Sequence, residues 1–252
     1  MPSYLYTALF LFSCNLSFSQ SIDDVIPSGA KGQVVQHQEY TLCYSEQHEQ
    51  AFWVAYELTA AELRLPSRKR ESSFKTDPYV ATKSASHKDY TNSGYDRGHI
   101  SRAEFNKSTA SSYRESYYMS NISPQIGVNF NRRGGDWYKL EELEKKIAFK
   151  LGSIYVVSGP IFQNNLGVIG TKTKITVPGY FFKAFLSQDK SQAIAFVLKH
   201  DNVDVDSLWA TVVTIDELEE FTNFNFYPTL SINSQAKLEG TVSLNYWKAL
   251  VK

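Results

Sequence analysis

Apolar residues recur along the chain in two rhythms. Trp137, Leu140, Leu143, Ile147 and Leu151 are spaced by three or four, the stripe of one helix face, and the spacing predicts a helix from Trp137 to Leu151. Asp136 stands where a cap belongs, and Gly152 where a helix stops. Most other apolar runs are short and bounded by turn residues, as strands are. Tyr40 to Tyr44 and Ala51 to Leu58 read as two strands of a hairpin, followed by a short helix or connection from Thr59 to Leu65. Ser112 to Glu115 starts a helix or loop. Tyr117 to Ser120 reads as a short strand that Pro124 terminates, because proline cannot donate to a ladder. Ile154 to Val157 leads to a turn signal at Gly159-Pro160, and Lys174 to Val177 ends at Pro178-Gly179. Phe181 to Leu186 and the continuous apolar run Ala193 to Leu198 follow, the second suiting a central strand. Thr211 to Val213 runs into Thr214-Ile215-Asp216-Glu217, a capping box that opens a helix through Phe221. Ser21 to Gln38 is a polar lead-in, and Pro66 to Tyr90 a polar loop.

Strands and helices intermix without βαβ alternation. The expected class is α+β, with a central, largely antiparallel sheet. No Pro/Gly-rich linker interrupts residues 20–252, so one domain is expected there.

Composition narrows the picture. With 252 residues, 42% hydrophobic and 21% charged, the chain is not of disordered type. It is long enough to bury a sizeable core without disulfides. Its 26 basic and 26 acidic residues cancel, which excludes a protein that coats nucleic acid through global charge. Any basic footprint must be local; Ser67-Arg68-Lys69-Arg70 is one, read as a solvated loop or as a rim that draws phosphates in.

The N-terminus carries an uncharged apolar run, Tyr4 to Ser13, of export-signal length and too short to span a bilayer. Ser17 and Ser19 are small residues before a cut at Gln20, although no Lys or Arg precedes the apolar run. Residues 1–19 therefore read as a cleaved signal, and the protein as secreted or periplasmic. Leu11-Phe12-Ser13-Cys14 leaves an alternative, lipidation at Cys14; without it no membrane association is expected. After cleavage Cys43 is alone, so a disulfide-free fold with a buried Cys43 follows.

The chemistry concentrates in Tyr95-Asp96-Arg97-Gly98-His99 and the stretch from Asn121 to Glu141. Histidine transfers protons near neutrality. Arginine offers a fixed fork to phosphate oxygens. Asn129-Phe130-Asn131 and Glu141 supply oxygen ligands of the kind a hard cation such as Mg2+ takes. The five histidines form no Cys/His cluster and no His-Glu-x-x-His, so zinc is poorly supported. A base, a guanidinium and a hard metal are the parts that hydrolyse a phosphodiester.

Asp96-Arg97-Gly98-His99 resembles the signature of the DNA/RNA non-specific endonucleases, the sugar-non-specific ββα-metal nucleases related to endonuclease G. Tyr118 to Gln125 resembles the family's second block, and Trp137-Tyr138-Lys139-Leu140-Glu141 the helix after it. Trp53 to Leu58, Ser158 to Phe162, Thr176-Val177-Pro178 and Phe221 to Pro228 match in order, so the resemblance covers roughly Gln38 to Leu230. It implies a central antiparallel sheet with helices on both sides and a ββα finger, the His-Me arrangement, with the base on a strand and the metal ligand on its helix. In the catalytic set it implies, His99 would be the general base, Arg97 would contact the phosphate, and Asn121 would help shape the site. Asn131 would ligate Mg2+, with Mn2+ as a substitute, and Glu141 would hold a water on the ion. DNA and RNA would be the substrates, cut to 5′-phosphate and 3′-hydroxyl ends.

Two departures stand out. The family commonly places its metal Asn four residues before the Trp, where this chain has Arg133; Asn131 keeps the Phe-Asn-Arg context, with Asn129 as runner-up. Arg132-Arg133-Gly134-Gly135 then reads as a small insertion. Where the family often has Pro-Ala-Ala-Asp, this chain has Arg102-Ala103-Glu104. The shifted Asn leaves a second reading, a nuclease-fold protein that binds nucleic acid without cutting it. The oligomeric state stays open, a dimer included.

Overall fold

The computed structural model describes residues 22–252. The export-signal reading of residues 1–19 and lipidation at Cys14 lie outside the described residues.

The chain opens with a short 3-10 turn, Ile22–Val25, and β1, Gln33–Gln36, where the sequence suggested only a lead-in. β2 (Thr41–Ser45) and β3 (Gln50–Thr59) form the expected hairpin. α1 (Ala60–Leu63) follows at once, started by a capping box between Thr59 and Glu62. β4 is Asp96–His99, α2 is Ala110–Glu115, and β5 is Ile122–Gln125. α3 runs over Asp136–Leu151 and leads into β6, Ser153–Ile161. Two short strands, β7 (Val168–Ile169) and β8 (Ile175–Thr176), precede the long pair β9 (Tyr180–Ser187) and β10 (Ala193–Lys199). β11 (Val212–Val213) and the helices α4 (Ile215–Thr222), α5 (Ile232–Glu239) and α6 (Leu244–Ala249) complete the chain.

The main sheet has seven strands in the order β1-β2-β3-β6-β9-β10-β11, every neighbour antiparallel. Its strands bury both faces, so alternate residues enter two cores. On one face Val54, Tyr56, Leu58, Val156, Phe181, Phe185 and Phe196 pack under Trp137, Leu140 and Ile147 of α3 and Trp247 of α6. On the other, Trp53, Ala55, Val157, Phe182, Ala184 and Ala195 pack under Ile215 and Leu218 of α4 and Leu238 of α5. Cys43 is buried and free, as expected of a core thiol. This is the α+β, helix-flanked antiparallel sheet that the resemblance implied.

Several local expectations are corrected. Tyr117 to Ser120 is not a strand; Met119–Asn121 is a 3-10 turn and the strand starts at Ile122. Pro124 lies inside that strand, opposite Arg97. β4 and β5 form a two-stranded sheet, so each has an open edge where a missing N–H costs no ladder bond. Gly159-Pro160 likewise makes no turn: β6 continues through both, paired with Phe182 and Phe181 of β9. The pairing with β3 stops at Ser158, so Pro160 deprives no neighbour on that side. Asp136 does not cap α3. Gly135 is the N-cap residue, without a side-chain bond, and the Asp136 carboxylate accepts from Val205 N at 3.0 Å and Lys139 Nζ at 3.0 Å. Gly152 does end the helix, at φ +91°.

Candidate active site

β4, β5 and α3 form the ββα unit, joined to the main sheet by side chains. Ser123 Oγ of β5 donates to Gln50 Oε1 of β3 at 2.6 Å, and Ser158 Oγ of β6 donates to the Ile100 carbonyl at 3.3 Å. Arg97 and His99 are two residues apart on β4 and so share one face of the strand. Gly98 between them faces the other way, where a Cβ would run into the Gln125 side chain.

His99 ends β4 and is held by its backbone. The Trp137 indole donates to the His99 carbonyl at 3.2 Å, and Ile100 N donates to the Asn121 carbonyl at 2.9 Å. Asn121 is fully buried, and its amide is spent on backbone: Ser101 N donates to Oδ1, while Nδ2 donates to the Ser101 and Ser116 carbonyls, each at 2.9 Å. Asn121 thus positions the turn after His99. The imidazole sits between Phe74 (5.4 Å) and Tyr117 (5.1 Å), and its Nε2 is enclosed with no hydrogen-bond partner. Burial, then the charges of Arg70 and Arg102, push His99 down to about 3. At neutral pH the ring is therefore an unprotonated acceptor.

Arg97 donates to the His87 carbonyl at 2.9 Å and lies over the Tyr90 ring at 5.7 Å. Its Nε is buried and unpartnered, a donor not spent within the protein. Arg70, exposed in the loop before β4, acts electrostatically on His99 and Tyr117. The sequence singled out its basic cluster but not this neighbour.

The metal-ligand candidates lie in a tight turn, Gly127–Asn131, with i→i+5 hydrogen bonds from Asn131 N to the Ile126 carbonyl and from Arg132 N to the Gly127 carbonyl. Asn129 is left-handed at φ 62°, and its amide nitrogen donates to the Asn202 carbonyl at 2.9 Å. Asn131 turns to β4: its Nδ2 donates to Asp96 Oδ2 at 3.2 Å, so its Oδ1 is the end a cation could take. Arg132 grips the same carboxylate with two bonds of 2.9 Å. Asn131 thus lies in the turn before α3 and not on the helix. The residues that follow complete a turn closed by Gly135 N donating to the Arg132 carbonyl at 2.8 Å. Gly135 is required there, since a Cβ would collide with the Phe130 backbone. His200, just past β10, pins the start of the loop: its Nε2 accepts from Ile126 N, and its Nδ1–H donates to the Pro178 carbonyl, both at 2.8 Å.

Glu141 sits one turn after Trp137 on α3, almost fully buried. Arg102, three residues past His99, lies 3.4 Å from it and 2.8 Å from Glu142. Burial raises the Glu141 carboxyl to about 7 against the lowering pull of Arg102 and Lys183, with Glu144 and Glu142 adding to the rise. Deeper in the core Lys183 Nζ is 2.9 Å from Glu144, both fully enclosed, and Tyr56 links the two at 3.0 and 2.8 Å. The sequence showed Arg102 only as a departure from the family pattern. Lys183 was visible as a lone charge inside an apolar strand run, a signal that went unused.

The donor set suits a hard cation. An amide oxygen on a backbone-pinned turn and a buried carboxylate are oxygen ligands of the kind Mg2+ takes, and no thiolate lies among them. The unspent His99 Nε2 and Arg97 Nε add an imidazole nitrogen and a cationic donor, which fits a water and an anion.

A family model described as DNA/RNA non-specific endonuclease matches residues 19–232. The chain is 28% identical over 235 residues to nuclease C1 of Cunninghamella echinulata var. echinulata, covering 87% of this chain and 92% of that one. It is 30% identical over 219 residues to the mitochondrial nuclease EXOG of Danio rerio, covering 81% of this chain and 62% of that relative's length. Among solved structures it superposes on one of the EndoG/EndoGI complex, which addresses EndoG inhibition, with a TM-score of 0.72 at 25% identity, over 84% of this chain and 93% of that one.

Proposed function

The chain belongs to the DNA/RNA non-specific endonuclease family, and we propose that it is an exported, Mg2+-dependent endonuclease that hydrolyses DNA and RNA with little sequence preference. The carrying observation is the half-buried His99 imidazole, its Nε2 enclosed and unspent, on the strand that also carries Arg97 and anchors Asn131. His99 takes a proton from the attacking water as its oxygen bonds to phosphorus. The bond from phosphorus to the 3′ oxygen breaks and that oxygen takes a proton from solvent water, which leaves a 5′-phosphate and a 3′-hydroxyl. Arg97, helped by Arg70 at the rim, meets the negative charge that builds on the phosphate. Asn131 and Glu141 would hold the metal, Glu141 through water. Mg2+ supplies positive charge for the phosphate and departing oxygen, and Mn2+ is the expected substitute. Trp137 holds the His99 carbonyl and Asn121 the Ile100–Ser101 backbone that follows, so both position the base.

Asn131 is favoured over Asn129 because Asp96 orients its amide toward β4, whereas Asn129 is committed to Asn202. The same anchoring favours a cutting enzyme over a protein that only binds nucleic acid. Export is supported by the apolar run Tyr4 to Ser13 and the small residues before Gln20, although relatives include mitochondrial nucleases.

The test is plasmid and RNA cleavage by wild type and His99→Ala, with chelator and then with Mg2+ restored. Wild type should lose cleavage to the chelator and regain it with Mg2+, and His99→Ala should fall by at least 100-fold, the order of a lost general base. Wild-type rates in His99→Ala would sink the proposal, and chelator-resistant cleavage would remove the metal.

A further inference from the structure

α4 and α5 meet through Asp216, Glu219 and Glu239, one carboxylate oxygen from each lying within 4.8 Å of the others. Asp216 and Glu219 are three apart on α4 and share a face. Glu239 is the last residue of α5, where the helix dipole is already negative. Three like charges in one place repel. Among the described residues none of the three forms a salt bridge with Lys, Arg or His.

Two further observations point to a ligand at this cluster. Glu239 is 8% exposed, and its Oε1 is enclosed with no hydrogen-bond partner. Tyr227 is 1% exposed, its hydroxyl is equally unpartnered, and the charges of Glu239 and Glu219 bear on it. Glu219 spends Oε1 on Phe226 N at 2.7 Å, so its other oxygen remains available. Buried polar atoms are costly to leave unpaired. Burial and the two neighbouring carboxylates raise Glu239 to about 7, which marks the same strain.

We infer that Asp216, Glu219 and Glu239 form a Ca2+ site that fastens α5 onto α4, apart from the residues proposed for phosphodiester hydrolysis. Ligand chemistry favours Ca2+: it takes several carboxylate oxygens directly in a flexible shell, whereas Mg2+ demands near-octahedral geometry and keeps most of its waters, so a cluster of three carboxylates within 4.8 Å suits Ca2+. Asp216 is exposed, which gives the ion a way in and leaves room for water to complete its shell. α5 has few other anchors: its buried positions are Leu238 and Glu239, and Ile232 is exposed.

The experiment uses the full chain, stripped of metal and titrated with TbCl3 and then CaCl2. Tb3+ luminescence excited through tyrosine should appear, and Ca2+ should displace it. The signal should survive Asn131→Ala and weaken at least tenfold in apparent affinity in Asp216→Asn, an exposed change that leaves the core intact. Ca2+ should raise the Tm of wild type by several degrees and that of Glu239→Gln much less. Equal Ca2+ affinity in wild type and Asp216→Asn would overturn the site, as would a signal lost in Asn131→Ala and kept in Asp216→Asn. An unresponsive wild type with a chelator-independent gain in Tm for Glu239→Gln would also overturn it, and would assign Glu239 a proton instead.

Discussion

The Trp137 indole N–H donates to the carbonyl oxygen of His99 at 3.2 Å, so the first turn of α3 grips the last residue of β4. Trp137 is itself locked between Phe130 and Phe181, with Lys183 4.7 Å from its ring. Trp137→Phe keeps most of the packing but strips a half-buried carbonyl of its donor, at a cost of about 1 kcal/mol. A lower Tm should accompany a larger fall in kcat than in substrate affinity. A variant with wild-type kcat would show that this bond does not orient the imidazole.

Arg70 and Arg102 both disfavour a charged His99. The unprotonated ring is the form that accepts a proton, so the acid limb of activity lies where His99 becomes protonated. Removing Arg70 lessens the depression, raises the folded pKa, and should move that limb to higher pH. Arg70→Ala should also lower kcat/KM by about 10- to 100-fold, the loss of one charge-assisted contact. The check is a single-turnover pH profile at saturating Mg2+. An acid limb that stays put would separate Arg70 from His99.

Lys183 and Glu144 are an enclosed ion pair at 2.9 Å. Breaking one half leaves a buried charge, so Lys183→Met should destabilise the fold by about 3–5 kcal/mol. Replacing both, Lys183→Met with Glu144→Leu, should recover much of that loss. Urea unfolding of the two variants and wild type makes the comparison, and equal destabilisation in single and double variants would contradict it.

His200 titrates against the fold. Burial depresses it to about 4, despite the raising effect of its bond to the Pro178 carbonyl, and its Nε2 already accepts from Ile126 N. A histidine depressed in the folded state binds fewer protons than the unfolded chain between about pH 6.5 and 4. Stability is therefore present above pH 6.5 and lost as pH falls through that window. The loss amounts to on the order of 3 kcal/mol. His200→Gln should be less stable at pH 7.5 but should lose less on acidification. Identical pH slopes in the two proteins would remove His200 from this role. Because His200 pins Ile126 at the head of the Asn131 turn, the variant should also weaken Mg2+-dependent cleavage.

The elements legible in the sequence were those written in local spacing. The α3 stripe, the β2–β3 hairpin, β9, β10 and the Thr214 capping box all came out of neighbours one to four residues apart. The misread positions share a cause. Pro124 and Pro160 look like strand breakers until the neighbouring edge is known, and β1 lacks a pattern of its own and exists through pairing with β2.

By itself the sequence determined which side chains were candidates: an imidazole and a guanidinium two residues apart in Asp96-Arg97-Gly98-His99, amides ahead of a helix, and a carboxylate one turn past Trp137. Tertiary structure alone decided which Asn turns to β4, that Arg102 meets Glu141, and that Arg70 bears on His99. It also decided that Asp216, Glu219 and Glu239 converge. The physical reason is range. Periodicity and capping act within a turn or two of backbone, whereas burial, charge pairing and pKa depend on residues that lie far apart in the chain and meet only when the sheet and helices close around them.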